Sequence, residues 1–197
     1  MVRGYFESSR TIVRVRVIAG KYGGRMLDAP RGRTTHPMGE RVRGALFNTI
    51  MQELPGARVL DAYAGTGVVG FEALSRGAGE VVAVEQNRLA QKVITNNMQL
   101  LNIDYPGYTL FRGRVQSFIS SRSADGFDII FVDPPYYEYN QNLSTVERLF
   151  GLLKPGGLMV ISKPGKCEEV VLPNGIVVVD NRSYGEAHLA YYRQKGA

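Results

Sequence analysis

From Arg58 onward, short apolar runs alternate with longer amphipathic runs, and this alternation limits the possible folds more than any other feature. The short runs, such as Val-Val-Ala-Val at 81–84 and Ile-Ile-Phe-Val at 129–132, contain little polar alternation. Strands of this kind are typical of parallel sheets that helices cover on both faces. The alternation therefore predicts an α/β fold with an open, doubly wound, mostly parallel sheet and right-handed crossovers.

The same periodicities predict the individual elements of the sheet. Predicted strands cover 58–62, 80–84, 108–112, 127–132 and 157–162, and predicted helices cover 39–53, 68–76, 87–101, 115–121 and 143–153. Two closing strands, at 176–180 and 187–193, have no helix between them. We therefore expect one core domain over residues 38–197.

The segment before this core is basic and strand-like. Residues 13–18, Val-Arg-Val-Arg-Val-Ile, alternate apolar with basic, and Gly23-Gly24 separates them from a second short run, which predicts a β-hairpin within an N-terminal extension over residues 1–37. Only Asp28 and Glu40 are acidic between residues 10 and 43, whereas the basic residues there are Arg10, Arg14, Arg16, Lys21, Arg25, Arg31, Arg33, Arg41 and Arg43. This concentration predicts a surface that binds a polyanion.

Other function classes are disfavoured by the composition. No stretch approaches the ~20 apolar residues that span a bilayer, and the first residues lack the apolar run of a secretion signal. Cys167 is the single cysteine, and His36 and His188 are the two histidines, so neither disulfides nor a metal site is expected. We expect a cytoplasmic protein that contacts no membrane, with a monomer as the default.

A glycine-rich loop, Asp61-Ala62-Tyr63-Ala64-Gly65-Thr66-Gly67, follows the first core strand. Gly65, Gly67 and Gly70 satisfy the G-x-G-x-x-G pattern, which dinucleotide-binding proteins also use. Asp61 would repel a pyrophosphate but could accept a hydrogen bond from an amino group. S-adenosylmethionine has an amino group, a sulfonium and no phosphate, so Asp61 favours that cofactor. The structural alternative is a carboxylate that only caps N–H groups of its own loop.

A second acid, Glu85, ends the next predicted strand, twenty residues beyond Gly65. This spacing is typical of a carboxylate that accepts the two ribose hydroxyls of a nucleotide. Nicotinamide and adenosyl cofactors share that interaction, so Glu85 indicates a nucleoside without choosing between them. An ordinary exposed acid is the alternative.

The most specific motif is Asp133-Pro134-Pro135-Tyr136, at the end of the fourth core strand. Two prolines stiffen the chain and remove two N–H donors, which leaves carbonyl oxygens to accept. A carboxylate and a backbone carbonyl can orient an exocyclic amine, and the tyrosine offers a ring for base stacking. The motif therefore predicts methylation of an amino nitrogen on a planar base, with a Pro-Pro turn and a core tyrosine as the alternative.

Taken together, residues 18–27, 40–48, 60–67 and 71–77 resemble the RsmD-type 16S ribosomal RNA guanine-N2 methyltransferases, a Rossmann-like class I family. The resemblance runs from about Val17 to Tyr192. It implies methyl transfer from S-adenosylmethionine to the 2-amino group of one guanine, in ribosomal RNA or an assembling small subunit.

The resemblance also implies roles for individual residues. Asp133 and the Pro134 carbonyl would hold the amine, with Pro135 fixing the turn and Tyr136 stacking. Cofactor contacts are expected from Asp61, Tyr63, Gly65, Thr66, Gly67, Glu85, Gln86, Arg114 and Val115. RNA contacts are expected from Arg14, Arg16, Lys21, Arg25, Arg41 and Arg43, and the segment 40–43 would lie beside the methionine end of the cofactor.

Two departures from the family pattern leave alternatives open. His36-Pro37-Met38-Gly39 replaces the usual Arg-Pro-Thr-Thr, and Arg112-Gly113-Arg114-Val115 offers no acceptor side chain for the adenine amine, so we expect a backbone group there. A DNA adenine or protein-glutamine methyltransferase would use the same amine chemistry. A nicotinamide-dependent oxidoreductase and a non-enzymatic RNA-binding assembly factor remain as further alternatives.

Overall fold

The computed structural model describes residues 13–30, 38–121 and 126–196. Within these ranges the predicted hairpin is present, because β1 (Val13–Arg16) pairs antiparallel with β2 (Met26–Ala29). The basic residues Arg10, Arg31 and Arg33 and the predicted turn residues His36-Pro37 lie outside the described residues. No helix in the described ranges is long and apolar enough to cross a membrane.

The larger sheet follows the predicted alternation of strands and helices. Its strands are β3 (Arg58–Asp61), β4 (Glu80–Glu85), β5 (Tyr108–Arg112), β6 (Phe127–Val132), β7 (Leu153–Pro164), β8 (Ile176–Tyr184) and β9 (Ala187–Gln194). The helices are α1 (Glu40–Thr49), α2 (Val68–Ser75), α3 (Arg88–Leu100), α4 (Val115–Ser120) and α5 (Leu143–Leu149). Short 3₁₀ turns cover Met51–Glu53, Tyr136–Glu138, Asn140–Asn142 and Phe150–Leu152.

The strand order of this sheet is β5-β4-β3-β6-β7-β9-β8, and its first five strands are parallel. The chain starts at the centre in β3, winds outward to β5, then returns to β6 on the other side. Such a reversal leaves a crevice at the carboxyl ends of the two central strands, where open α/β sheets bind their ligands. The predicted doubly wound sheet is confirmed, and β8 and β9 close it as antiparallel strands.

Successive residues of the central strands pack on opposite faces of the sheet. Val59 belongs to the cluster that contains Phe47 of α1, whereas Leu60 belongs to the cluster that contains Phe118 of α4 and Leu149 of α5. Each fully buried side chain of this size contributes about 1.5–3 kcal/mol of transfer free energy. Both faces are therefore covered, as the continuous apolar runs predicted.

Several boundaries differ from the predictions: for example, helix α5 ends at Leu149 instead of residue 153, and strand β8 ends at Tyr184 instead of residue 180. Helix α1 ends at Thr49, and the 3₁₀ turn Met51–Glu53 takes the place of its expected last turn. Strand β7 begins four residues early, at Leu153, because Leu153 pairs with Phe127 before an irregularity shifts the register. The Pro-Gly-Gly sequence at 155–157 thus forms a bulge within a strand.

The hairpin is hydrogen-bonded to helix α2. The buried Glu72 carboxylate accepts the N–H groups of Ile18 at 2.7 Å and Ala19 at 3.1 Å. Ser75 Oγ accepts the N–H of Tyr22 at 2.9 Å. These side chains replace the strand partners that the loop between β1 and β2 lacks, and they fix the hairpin on the core.

Two further contacts hold the hairpin close to the core. Gly20 has a φ of +82°, and an added Cβ would lie 1.9 Å from the carbonyl oxygen of Ser75, so the approach requires glycine. On α3, the buried Asn97 side chain exchanges two hydrogen bonds with the backbone of Asp28, at 3.0 and 2.9 Å. The hairpin therefore contacts both α2 and α3, the helices that follow strands β3 and β4.

Candidate active site

A cleft of about 870 Å³ lies at the carboxyl ends of the central strands, where the strand order reverses. Of the predicted site residues, those that line it are Tyr63, Gly65, Thr66, Glu85, Gln86, Arg114, Val115, Asp133, Pro134, Pro135 and Tyr136. The start of α1 also lines the cleft, through Met38, Gly39 and Val42. Val42 belongs to the 40–43 segment that was expected beside the cofactor. The structure thus brings together residues from five separate segments of the chain.

The loop after β3 is shaped by two glycines in the left-handed region. Gly65 has a φ of 53° and Gly67 a φ of 75°. A Cβ on Gly67 would meet Phe71 Cε2 at 2.9 Å and Ile94 Cγ1 at 3.0 Å. Only glycine allows the loop to turn this tightly into α2, which leaves the loop backbone of Tyr63 to Thr66 facing the cleft.

Asp61 lies directly behind this lining. It is 2% exposed, and its Oδ2 accepts the N–H of Gly70 at 3.0 Å. Burial, with smaller contributions from Asp133 and Glu85, raises the pKa of Asp61 to about 7. One carboxylate oxygen therefore accepts from the first turn of helix α2, and the other is the one able to accept from an amino group.

Glu85 ends β4 with its carboxylate held by backbone donors. Its Oε2 accepts the N–H of Gly65 at 2.8 Å, and its Oε1 accepts the N–H of Asn87 at 2.6 Å. Glu85 is 9% exposed, and burial raises its pKa. These two donors orient the carboxylate. Because each oxygen keeps a further lone pair, the carboxylate can still accept two hydroxyls from the cleft.

The first turn of helix α4, which follows the loop after β5, supplies a residue that sequence reasoning missed. Gly113 donates its N–H to the Glu85 carbonyl at 3.0 Å, and Arg114 and Val115 line the cleft as predicted. Gln116 also lines the cleft, and its Nε2 donates to Thr145 Oγ1 at 2.9 Å. That bond leaves the Gln116 Oε1 as an acceptor at the point where the sequence seemed to offer none.

Strand β6 lies beside β3 on the side away from β4, and Asp133-Pro134-Pro135-Tyr136 follows its last residue. The Pro135 carbonyl accepts the N–H of Glu138 at 2.8 Å, so of the two proline carbonyls that of Pro134 is the candidate acceptor. Desolvation raises the pKa of Asp133 to about 6, although a hydrogen bond from Ser162 opposes the shift. Tyr136 is 39% exposed and stands at the mouth of the cleft.

The charges of the cleft indicate which ligands fit it. Asp61, Glu85 and Asp133 are desolvated acids whose pKa values are all raised. Desolvated carboxylates favour a ligand that carries positive charge and disfavour a pyrophosphate. The donor set therefore fits S-adenosylmethionine, which is cationic and carries ribose hydroxyls. In the part of the chain that the structure describes, no group of three or more His, Cys, Asp or Glu side chains could hold a metal.

Most of the predicted RNA-contacting residues are on the surface. Arg14, Arg16, Lys21, Arg25 and Arg41 are exposed. Arg14 lies 3.7 Å from Asp28, and Arg16 pairs with Glu40 at 2.7 Å. Exposed pairs of this kind cost little to open for a phosphate.

The expectation for Arg43 is corrected by the structure. Arg43 is 1% exposed, and its guanidinium donates to the carbonyls of Met38 at 2.7 Å and Arg16 at 2.6 Å. It also lies 3.9 Å from the buried Glu72 carboxylate. Arg43 therefore ties β1 to α1 and is not available to RNA; its helical spacing from Leu46 and Phe47 was the signal that it faces the core.

Comparisons with known proteins agree with the fold. A family model described as conserved hypothetical protein 95 matches residues 15–193. YlbH of Bacillus subtilis, provisionally named a ribosomal RNA methyltransferase, is 30% identical over 185 residues, 92% of this chain and 100% of that protein. Ribosomal RNA small subunit methyltransferase D of Haemophilus influenzae is 28% identical over 182 residues, 91% and 93% of the two chains. The solved Escherichia coli structure of yhhF, provisionally named a methyltransferase, has a TM-score of 0.83 at 26% identity and covers 94% of this chain and 100% of its own.

Proposed function

The chain belongs to the conserved hypothetical protein 95 family, and from this membership we propose that it is an S-adenosylmethionine-dependent methyltransferase of small-subunit ribosomal RNA, with the N2 of one guanine as its target. Two relatives are named as ribosomal RNA methyltransferases, one of them for the small subunit. The observation that carries the chemistry is the position of Asp133-Pro134-Pro135-Tyr136 in the same cleft as the Gly65 to Gly67 loop.

In this proposal the cofactor would be held by residues at the ends of β3, β4 and β5. Glu85 would accept the ribose hydroxyls, and the free oxygen of Asp61 would accept from the amino group. A backbone group of the segment from Gly113 to Gln116, or the Gln116 amide oxygen, would accept the adenine amine. When bound, the cofactor supplies an electrophilic methyl group and keeps the electron pair of the broken bond on its sulfur.

The target amine enters beside β6. An exocyclic amine is a weak nucleophile because its lone pair is conjugated with the ring, so two acceptors that rotate the lone pair out of conjugation lower the barrier. Asp133 and the Pro134 carbonyl accept the two N–H groups, and Tyr136 stacks on the base. Once the nitrogen is methylated it loses a proton, and Asp133, with a pKa of about 6, is a suitable acceptor near neutral pH.

The substrate class rests on the hairpin as well as on the relatives. Arg14, Arg16, Lys21 and Arg25 are exposed on an element that is fixed to α2 and α3. Cations on a rigid element near the cleft would bind phosphates and set the depth to which a flipped base enters. We place RNA on this surface, as an extension of the catalytic core.

Labelled methyl transfer tests the proposal. Small subunits from a strain that lacks the gene should accept tritium from labelled S-adenosylmethionine, and digestion should release the label as N2-methylguanosine. Label in N6-methyladenosine would reject the base assignment, and preferential labelling of DNA or protein would reject the substrate. Tight binding of NAD without binding of S-adenosylhomocysteine would revive the oxidoreductase alternative, and an RNA complex without transfer would favour the assembly factor.

A further inference from the structure

Ser162 stands where strand β7 meets the cleft. Residues Met159, Val160 and Ile161 before it are buried and apolar, and Leu189 pairs with it from β9. Ser162 itself is 3% exposed and lines the cleft. A hydroxyl in such surroundings costs about 1–3 kcal/mol unless it is hydrogen-bonded, so its partners are informative.

Both partners of Ser162 belong to the Asp133 to Tyr136 motif. Its Oγ lies 3.1 Å from the Tyr136 hydroxyl oxygen, and its hydroxyl is the hydrogen-bonding group that opposes the rise in the pKa of the neighbouring Asp133. The register explains the proximity, because Ile161 pairs with Val132 and so the two following residues lie side by side at the strand ends.

The hydrogen-bonding capacities of the three groups fix the direction of the chain. An ionised carboxylate only accepts, and a serine hydroxyl has one hydrogen to donate, so Ser162 donates to Asp133. The Tyr136 O–H then donates to Ser162 Oγ. The result is a directed chain, Tyr136 to Ser162 to Asp133, that ends on one carboxylate oxygen and leaves the second oxygen for another donor.

We propose that Ser162 is a positioning residue that orients the Asp133 carboxylate toward the target amine and holds the Tyr136 ring in its stacking position. This proposal rests on the proposed function, since it assigns Ser162 a role in amine binding. One hydroxyl thereby couples the residue that holds the amine to the residue that stacks on the base.

The groups that face Asp133 determine what removal of the hydroxyl should do. Asp61 at the end of β3 and Tyr136 of its own turn interact with it, and Glu85 acts on the same cleft through Asp61. Burial disfavours ionisation of Asp133, whereas Ser162 favours it. Loss of the Ser162 hydroxyl should therefore raise the pKa of Asp133.

The test compares Ser162→Ala with Ser162→Thr, which restores a hydroxyl, and with Ser162→Cys, which fills the space but donates weakly. Thr109→Val is the matched control, because it removes a buried hydroxyl that has no partner in the described residues, on another strand of the sheet. Two quantities are measured: the Asp133 pKa in the cofactor-free protein by carboxyl NMR, assigned with Asp133→Asn, and kcat against pH for methyl transfer to small subunits.

We expect Ser162→Ala and Ser162→Cys to raise the Asp133 pKa, to shift the rising limb of kcat to higher pH and to lower kcat about tenfold at neutral pH. Cofactor Kd should change less than about twofold, Ser162→Thr should restore most of kcat, and Thr109→Val should change nothing. An unchanged Asp133 pKa, or a loss of kcat that Ser162→Thr shares, would overturn the positioning role. Absence of transfer by the unsubstituted protein would instead overturn the proposed function.

Discussion

The cleft and the hairpin are built from opposite charges and by opposite means. The cleft buries acids, Asp61, Glu85 and Asp133, and each has a raised pKa. The hairpin exposes cations, while the acid that anchors it, Glu72, is buried beneath. In the cleft, backbone N–H groups orient the Asp61 and Glu85 carboxylates toward the ligand site. On the hairpin the orienting contacts lie underneath and the charges face solvent.

This difference indicates that the cleft and the hairpin have different roles. Desolvated charges held by fixed donors are suited to orienting reactive groups, because they need little rearrangement when the ligand arrives. Exposed charges on flexible side chains are suited to phosphates, where affinity comes from counterion release and tolerates imprecise geometry. Substitutions in the cleft should therefore change turnover or cofactor affinity, and substitutions on the hairpin should change RNA affinity.

The largest effect is expected for Asp133→Ala. Loss of the carboxylate removes an oriented acceptor and the proton acceptor, so kcat should fall about 100- to 1000-fold while cofactor Kd changes less than about threefold. Single-turnover transfer and calorimetry measure the two quantities, with Asp104→Ala, at an exposed loop position, as the control. Equal losses in kcat and cofactor affinity would mean that Asp133 binds the cofactor and not the target amine.

The next largest effect is expected for Glu85→Gln, which should weaken cofactor binding. The amide would turn an NH₂ toward the N–H of either Gly65 or Asn87, since these donors occupy both carboxylate oxygens. We expect S-adenosylhomocysteine affinity to fall about 10- to 100-fold by calorimetry, with RNA affinity unchanged. The exposed Glu168→Gln is the matched control. Unaltered cofactor affinity would show that the ribose is held elsewhere.

A smaller effect should follow from the double change Lys21→Ala with Arg25→Ala. Both side chains are exposed on the hairpin, and their loss should weaken small-subunit RNA binding about tenfold and reduce the salt dependence by about two phosphate contacts. Turnover at saturating RNA should stay the same. The pair Lys166→Ala with Lys195→Ala removes the same charge elsewhere on the surface. An identical loss in that control would mean that net charge alone attracts RNA.

The smallest effect is the pH dependence of cofactor binding. In the ligand-free protein, Asp61 has a pKa of about 7, above its usual value, so it favours the folded state at low pH and this stabilisation is lost as the pH rises through about 7. The cationic cofactor needs the ionised form. Its affinity should therefore be about fourfold weaker at pH 6.5 than at pH 8, and its thermal stabilisation of the protein correspondingly smaller. A flat profile in calorimetry would exclude Asp61 from cofactor binding.

The cofactor half of the cleft was largely predictable because its parts are local in sequence. The Gly65 to Gly67 turn and the acids Asp61 and Glu85 stand at strand ends, and parallel strands place such ends together. Ser162 and Gln116 were not predicted, since each is defined by a partner on another element, Asp133 for one and Thr145 for the other. Contacts of that kind depend on strand register and helix packing, which no local pattern encodes.

The basic N-terminal segment was also predicted only in part. Its alternating sequence predicted the strand pairing that β1 and β2 form, but the charge pattern could not separate Arg43, which is buried, from Arg41, which is exposed. The distinction comes from the helical spacing of Arg43 with Leu46 and Phe47, which places it on the buried face of α1, beside the Glu72 carboxylate of α2. The count of basic residues predicted a basic surface, but packing determines which of these side chains are exposed.

The most direct measurement is nucleoside mass analysis of small-subunit ribosomal RNA from cells that carry either the unchanged gene or its Asp133→Ala variant as the only copy. We predict that one N2-methylguanosine per small subunit is present with the unchanged gene and absent with the variant, while other modified nucleosides stay constant. Equal N2-methylguanosine in the two samples, or loss of a different methylated nucleoside, would contradict the assignment of this cleft to guanine N2.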